Sequence, residues 1–224
     1  MQPVVRLRSA VCLLGRFPAL AGVDLDVRKG EVVLLSGGNG AGKTTLLRLI
    51  AGLVPVHSGE AEVLGFDLTR DRRSHRHELA LVGHDSGCYD DLTVRENLSF
   101  ASRAAGAPTD AADRALDRFG LAPLATTLHG RLSAGQRRRL SVAIALARDP
   151  RLLLLDEPHA GLDAEGRAVL DAVLRDAPAE ERTVIVASHE LDRTRALASR
   201  EVVLTTGQAE GTLRESRRRE PARA

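Results

Sequence analysis

Nine consecutive residues, Gly37-Gly38-Asn39-Gly40-Ala41-Gly42-Lys43-Thr44-Thr45, combine small side chains with one ammonium group and two hydroxyls. Glycines let the backbone curl with its N–H groups pointing inward, where a larger side chain would block an approaching anion. The spacing fits G-x-x-x-x-G-K-[ST], a phosphate-binding loop. Lys43 is suited to reach β- and γ-phosphates, and the Thr44 hydroxyl to ligate Mg²⁺. Gly37, Gly38, Asn39, Gly40, Ala41, Gly42, Lys43, Thr44 and Thr45 are therefore candidate nucleotide contacts. A glycine-rich turn that binds nothing is the rival reading, and the flanking segments argue against it.

A second group is Asp156-Glu157, which ends the run Leu152-Leu153-Leu154-Leu155. Asp156 stands where a Mg²⁺-associated carboxylate is needed, opposite the phosphates. Glu157, one residue on, is suited to polarise a water for attack on a γ-phosphate. The rival reading is a pair of acids that merely solvate a strand end. A third group is Leu132-Ser133-Ala134-Gly135-Gln136, directly before Arg137-Arg138-Arg139. It reads as a helix start, with Ser133 as cap and free amides beside it, and so as a second phosphate cradle. One site needs one phosphate loop, so the spare cradle suggests service to a second copy.

These groups need elements to hold them. The apolar run Val32-Val33-Leu34-Leu35 predicts a strand before the glycine loop, and residues 43–53 a helix after it, closed off by Pro55 and Ser58-Gly59. Strands are expected at residues 4–14, 22–27, 60–63 and 79–82, and buried parallel strands at 151–155 and 183–187. Helices are expected at 93–105, 110–119, 133–148, 165–175 and 191–198, with a last strand at 202–204. Thr93-Val94-Arg95-Glu96 has the form of a capping box. Strands alternating with helices after a phosphate loop indicate an α/β sheet with the ligand at the strands' carboxyl ends. Residues 83–150 read as a helical insert.

The length of 224 residues suits one domain, with 43% hydrophobic residues for its core. A net charge of +2 and a 2% aromatic content argue against nucleic-acid binding. Lys29 and Lys43 are the only lysines, and arginine supplies every other cation. No stretch has the ~20 apolar residues of a membrane helix, and no signal-peptide pattern opens the chain. The expectation is a soluble protein, not itself inserted in a membrane, whose membrane role comes through partners. Cys12 and Cys88 suggest neither a disulfide framework nor a metal site, which fits a reducing cytoplasm.

The ordered set of the glycine loop, Leu-Ser-Ala-Gly-Gln, Leu-Leu-Leu-Leu-Asp-Glu-Pro, Gly161-Leu162-Asp163 and Ser188-His189 resembles the ATP-binding subunits of ABC transporters, over residues 4–213. The resemblance implies a P-loop NTPase of ABC ATPase type: a mainly parallel core sheet, an N-terminal antiparallel β part and a helical subdomain. One domain would span 1–224, with its core at about 1–82 and 151–213, the helical subdomain at about 83–150 and a basic tail at 214–224. It implies a head-to-tail dimer, of identical or different cassettes, sandwiching ATP with Mg²⁺. Each ATP would lie between the loop of one protomer and Ser133, Gly135 and Gln136 of the other. Glu157 would be the general base, His189 would contact the γ-phosphate and Asp163 would lie at the dimer contact. Membrane-spanning transporter subunits, reached through the His84 loop and the helical insert, would hold the motor at the cytoplasmic face of the cell membrane.

Three departures stand out. His84 occupies the place of the usual loop glutamine, so His84 or Asp85 would contact the Mg²⁺-bound water. The aromatic that usually stacks on adenine is missing; Leu14 falls near its place and Phe17 is the closest ring. Gly38 replaces a frequent proline and Ala134 a frequent glycine. Within the family, Gly83-His84, Leu92-Thr93-Val94-Arg95-Glu96-Asn97-Leu98 and Asp156-Glu157-Pro158-His159-Ala160-Gly161-Leu162-Asp163 look most like the ATP-binding subunit of the heme exporter of cytochrome c maturation. The alternatives are a drug or lipid exporter of the same build, or a non-transport ABC ATPase.

Overall fold

The computed structural model describes residues 3–83 and 87–212. The chain opens with the long hairpin β1 (Val5–Leu14) and β2 (Phe17–Val27). After β3 (Val32–Ser36) come helix α1 (Lys43–Ile50) and strands β4 (Ser58–Val63) and β5 (Phe66–Asp67). A 3₁₀ turn over Ser74–Glu78 leads into β6 (Leu79–Val82). Three helices follow, α2 (Val94–Ala104), α3 (Ala111–Arg118) and α4 (Ala134–Ala147). The chain then alternates through β7 (Leu152–Asp156), α5 (Ala164–Asp176), β8 (Thr183–Ala187), α6 (Leu191–Leu197), β9 (Arg200–Thr205) and β10 (Gln208–Thr212).

Two sheets result. One is antiparallel in the order β2-β1-β4-β5, and the other runs β10-β9-β3-β8-β7-β6. In the second, β9, β3, β8, β7 and β6 are mutually parallel and β10 is antiparallel to β9. The central strands are apolar at successive positions because both faces are covered. Val33, Leu35, Leu152, Leu154, Ile185 and Ala187 join α1 and the antiparallel sheet in one core. Their neighbours Val32, Leu153, Leu155, Val184 and Val186 face the opposite way, into a second core with α2, α3, α4 and α5. Each of these fully buried leucines contributes about 2 kcal/mol through removal from water.

The local signals explain most boundaries. Thr93 caps α2: its hydroxyl accepts from the Glu96 N–H at 3.2 Å, and the Glu96 carboxylate accepts from the Thr93 N–H at 2.7 Å. Helix α1 ends earlier than its apolar pattern suggests. Gly52 takes φ 68°, the left-handed turn that stops a helix, so Leu53 lies beyond it. Strand β2 begins five residues before the expected Gly22, and β10 is an additional strand. The basic tail at 214–224 lies outside the described residues.

Candidate functional site

The glycine loop joins the carboxyl end of β3 to the N-terminus of α1. Gly37 has φ 137°, and a side chain there would strike the Leu204 carbonyl, 2.3 Å from the position of a Cβ. Gly42 has φ 103°, and a Cβ there would stand 2.8 Å from the Ala19 carbonyl, so β2 packs against the start of α1. No side chain caps α1, and residues 38–40 of the loop before it are exposed. The β9–β10 turn supports the loop from behind, with Gly207 N–H donating to the Ala41 carbonyl at 3.1 Å.

Lys43 is buried, and its ammonium donates to the carbonyls of Gly37 at 2.7 Å and Gly38 at 3.1 Å. Thr44 is exposed and donates its hydroxyl to Asp156 Oδ2 at 2.8 Å, joining the first turn of α1 to the end of β7. Thr45 turns into the core.

Glu157 follows β7 with φ 47°, a left-handed backbone rare for a side chain of this size. Its N–H donates to the Ala187 carbonyl at 2.8 Å. Its Oε2 accepts the backbone N–H of His189 at 3.0 Å. Its Oε1 lies 3.4 Å from His189 Nε2, within ion-pair range, but makes no hydrogen bond and has no solvent contact. The His189 imidazole is exposed.

Ser133 and Gln136 form a reciprocal cap on α4. The Gln136 amide oxygen accepts from the Ser133 N–H at 2.9 Å, and the Ser133 hydroxyl accepts from the Gln136 N–H at 3.2 Å. Gly135 packs against the Gly161 carbonyl, 2.9 Å from where a Cβ would stand. Asp163 caps α5 through the Gly166 N–H at 2.8 Å and receives both Nη2 contacts of Arg139, at 2.8 and 2.7 Å. The Gly166 N–H, followed by Arg139, holds the Asp163 carboxyl below its usual range. No hydrogen bond or ion pair among the described residues joins the 133–136 group to the 37–45 loop.

Two side chains near Glu157 carried no sequence signal. Arg138 reaches from α4 to the carbonyls of Gly83, Asp156 and Glu157. His159 is buried and pairs through Nε2 with Asp171 at 3.1 Å, and Arg193 holds the same carboxylate at 2.7 Å. Leu14 and Phe17 face one another across the tip of the β1–β2 hairpin and are 52% and 79% exposed. That tip stands two residues from Ala19, the residue touching Gly42. His84 and Asp85 lie outside the described residues.

The family model for ABC transporters matches residues 20–160. The chain belongs to the ABC transporter family. It is 43% identical over 185 residues to the cytochrome c biogenesis ATP-binding export protein CcmA of Bordetella bronchiseptica, covering 82% of this chain and 83% of that protein. A solved ATP-binding subunit of an ABC transporter superposes with a TM-score of 0.85 at 25% identity, covering 92% of this chain and 88% of that one. A dimeric ATP-binding cassette in a post-hydrolysis state, bound to ADP and Pi, superposes with a TM-score of 0.83 at 25% identity, covering 92% and 96%. The chain is thus an ABC ATPase domain, and the expected α/β fold of that type is the one found. ABC cassettes form dimers and work with membrane-spanning subunits. No helix among the described residues of this ABC domain is long and apolar enough to cross a membrane.

The ABC domain fits a triphosphate on its own geometry: an uncapped helix N-terminus, a buried lysine at the loop, and glycines at 37, 40 and 42 whose positive φ lets the loop curl. Thr44 and Asp156 supply the hard oxygen donors that Mg²⁺ prefers, alongside phosphate oxygens.

Proposed function

We propose that this chain is the ATP-hydrolysing motor subunit of the heme exporter of cytochrome c biogenesis. The observation that carries the motor reading is the convergence at the strands' carboxyl ends, where Thr44 meets Asp156 and Glu157 faces His189. The identity to a cytochrome c biogenesis export protein supports the transport role.

In this reading residues 37–45 wrap the phosphates, and Lys43 turns its ammonium toward the β- and γ-phosphates. Thr44 and Asp156 hold Mg²⁺, which when bound offsets phosphate charge and orients the γ-phosphoryl group. Glu157 takes a proton from water, whose oxygen bonds to the γ-phosphorus as the bond to ADP breaks. His189 contacts the γ-phosphoryl group. Phe17 and Leu14 flank the adenine. Two cassettes, identical or related, pair head to tail, so Ser133, Gly135 and Gln136 close over the nucleotide of the other protomer beside Asp163. His84, or Asp85 beside it, would stand in for the usual loop glutamine toward a bound Mg²⁺. The helical block of α2, α3 and α4 forms a subdomain that passes closure to membrane-spanning subunits at the cytoplasmic face.

Affinity purification from the native membrane, with mass spectrometry and heme absorbance of the eluate, tests the transport role. Multi-span proteins co-eluting with heme support the reading. A single unrelated permease without heme would discard the cargo, and absence of any membrane protein would discard transport. Nucleotide binding by Lys43→Ala tests the loop: binding should be lost, and tight ATP retention would refute the assignment.

A further inference from the structure

Arg138 is the third residue beyond Gly135 on α4, yet its guanidinium lies at the ends of β6 and β7. It donates through Nη1 to the Gly83 carbonyl, and through Nη2 to the carbonyls of Asp156 at 2.5 Å and Glu157 at 2.9 Å. Nε points at the Pro158 carbonyl at 3.5 Å. Among the described residues all of its hydrogen bonds go to main-chain oxygens, leaving the Asp156 carboxylate to Thr44 and that of Glu157 to His189. A planar fork with five donors can take several carbonyls at once; an ammonium cannot match that geometry. Burial lowers the Arg138 pKa, and the nearby Asp156 and Glu157 charges push it back up.

The turn it grips needs holding. Glu157 keeps a left-handed backbone, a conformation that persists only where its surroundings over-determine it. The Ala187 carbonyl fixes its N–H; the Ala160 N–H and Arg138 fix its carbonyl. Of these, Arg138 is the side-chain contact, and it comes from the helix that begins at Ser133.

We infer that Arg138 is a positioning residue: it sets the Glu157 turn for hydrolysis and ties that turn to the helix carrying Ser133, Gly135 and Gln136. The inference rests on the reading of Glu157 as general base. In a head-to-tail pair, the start of α4 meets the nucleotide of the other protomer, while Glu157 serves the nucleotide of its own. Arg138 then makes the pose of each catalytic carboxylate depend on engagement of the opposite site.

The test is steady-state ATPase and nucleotide binding of the purified full chain as Arg138→Met, Arg138→Lys, Glu157→Gln and the Glu157→Gln/Arg138→Met double variant. Arg138→Met should lower kcat by about ten- to a hundredfold, the cost of a misplaced catalytic group, with KM within about threefold. Arg138→Lys should recover part of the loss, and Arg138→Met should add little to Glu157→Gln. Arg138→Gln, which keeps two donors, replaces the Met variant if that one does not fold. An unchanged kcat, a loss of kcat matched by an equal rise in KM, or full additivity on Glu157→Gln would overturn the inference while leaving Glu157 as base. Full turnover by Glu157→Gln alone would remove the reading beneath it and the inference together.

Discussion

The backbone N–H of His189 donates to Glu157 Oε2 at 3.0 Å, while the imidazole of the same residue stands 3.4 Å from Glu157 Oε1. One residue therefore holds half of the carboxylate through its main chain and guards the other half with its ring. The two functions separate by mutation. Glu157→Gln should keep ATP binding and favour the closed dimer, with turnover down by about 10²- to 10⁴-fold, the usual scale of general-base catalysis. His189→Ala should leave the backbone bond intact and still lose turnover. Single-turnover hydrolysis with light scattering checks both; undiminished hydrolysis by Glu157→Gln rejects the base assignment.

Phe17 is the most exposed large apolar side chain of the hairpin tip and lies across from Leu14. Stacking of a base on an aromatic ring contributes about 1–3 kcal/mol. Phe17→Ala should therefore raise the KM for ATP by about five- to a hundredfold with kcat retained, and Leu14→Ala by less. A KM series settles which side chain meets the base; equal, small effects from both would remove the hairpin from the nucleotide site.

His75 has no solvent exposure, and its Nε2 lies 3.0 Å from the Ile50 carbonyl. Burial is the main cause that lowers its pKa, opposed by that hydrogen bond. The unfolded chain, at the ordinary histidine value of about 6.5, then binds a proton before the folded one does. Stability from this group is in place above that value and is lost as pH falls toward the folded pKa. Melting temperature should drop between about pH 7 and pH 5, and His75→Gln should flatten that part of the curve. An identical slope in the variant would exclude His75 as the source.

Asp171 joins three elements: His159 of the turn after β7, its own helix α5, and Arg193 of α6. Burial raises its pKa, but the hydrogen bonds from Arg193 and His159 outweigh this and hold the carboxyl low. Asp171→Asn should cost about 2 kcal/mol, less than a fully buried pair because Arg193 keeps partial solvent contact. For a chain of this size that is a drop of about 4–8 °C in Tm. A calorimetric scan showing no shift would mean that the triad adds nothing to stability.

The fold was most legible where a single physical cause dominates. Strands β6 and β8 match their apolar runs residue for residue, and Thr93 and Ser133 cap the helices their side chains foretell. Beyond the early end of α1, the clearest misses lie at sheet edges. Pro18 breaks the strand pattern before Gly22, but β2 is an edge strand, where a missing N–H costs no ladder bond. Strand β10, also at an edge, reads Gln-Ala-Glu-Gly-Thr, a mostly polar stretch with a glycine and no apolar run to mark it as a strand. At the site, the phosphate loop is visible because its chemistry and its backbone demand the same residues. Arg138 and Arg139 are not: in a run of three arginines, nothing local tells which ones turn inward. His159 gives no signal either, since its partners Asp171 and Arg193 come from later helices.

The scarcity of lysine has a practical consequence. The two side-chain amines sit in opposite settings: Lys29 is exposed and paired with Glu181, whereas Lys43 is buried beneath the glycine loop. An amine-selective acylating reagent therefore meets one open and one guarded side-chain target, fourteen peptide bonds apart, and leaves the arginines unmodified. The ratio of the two adducts, read by peptide mass spectrometry, becomes an internally referenced gauge of loop opening that needs no engineered tag.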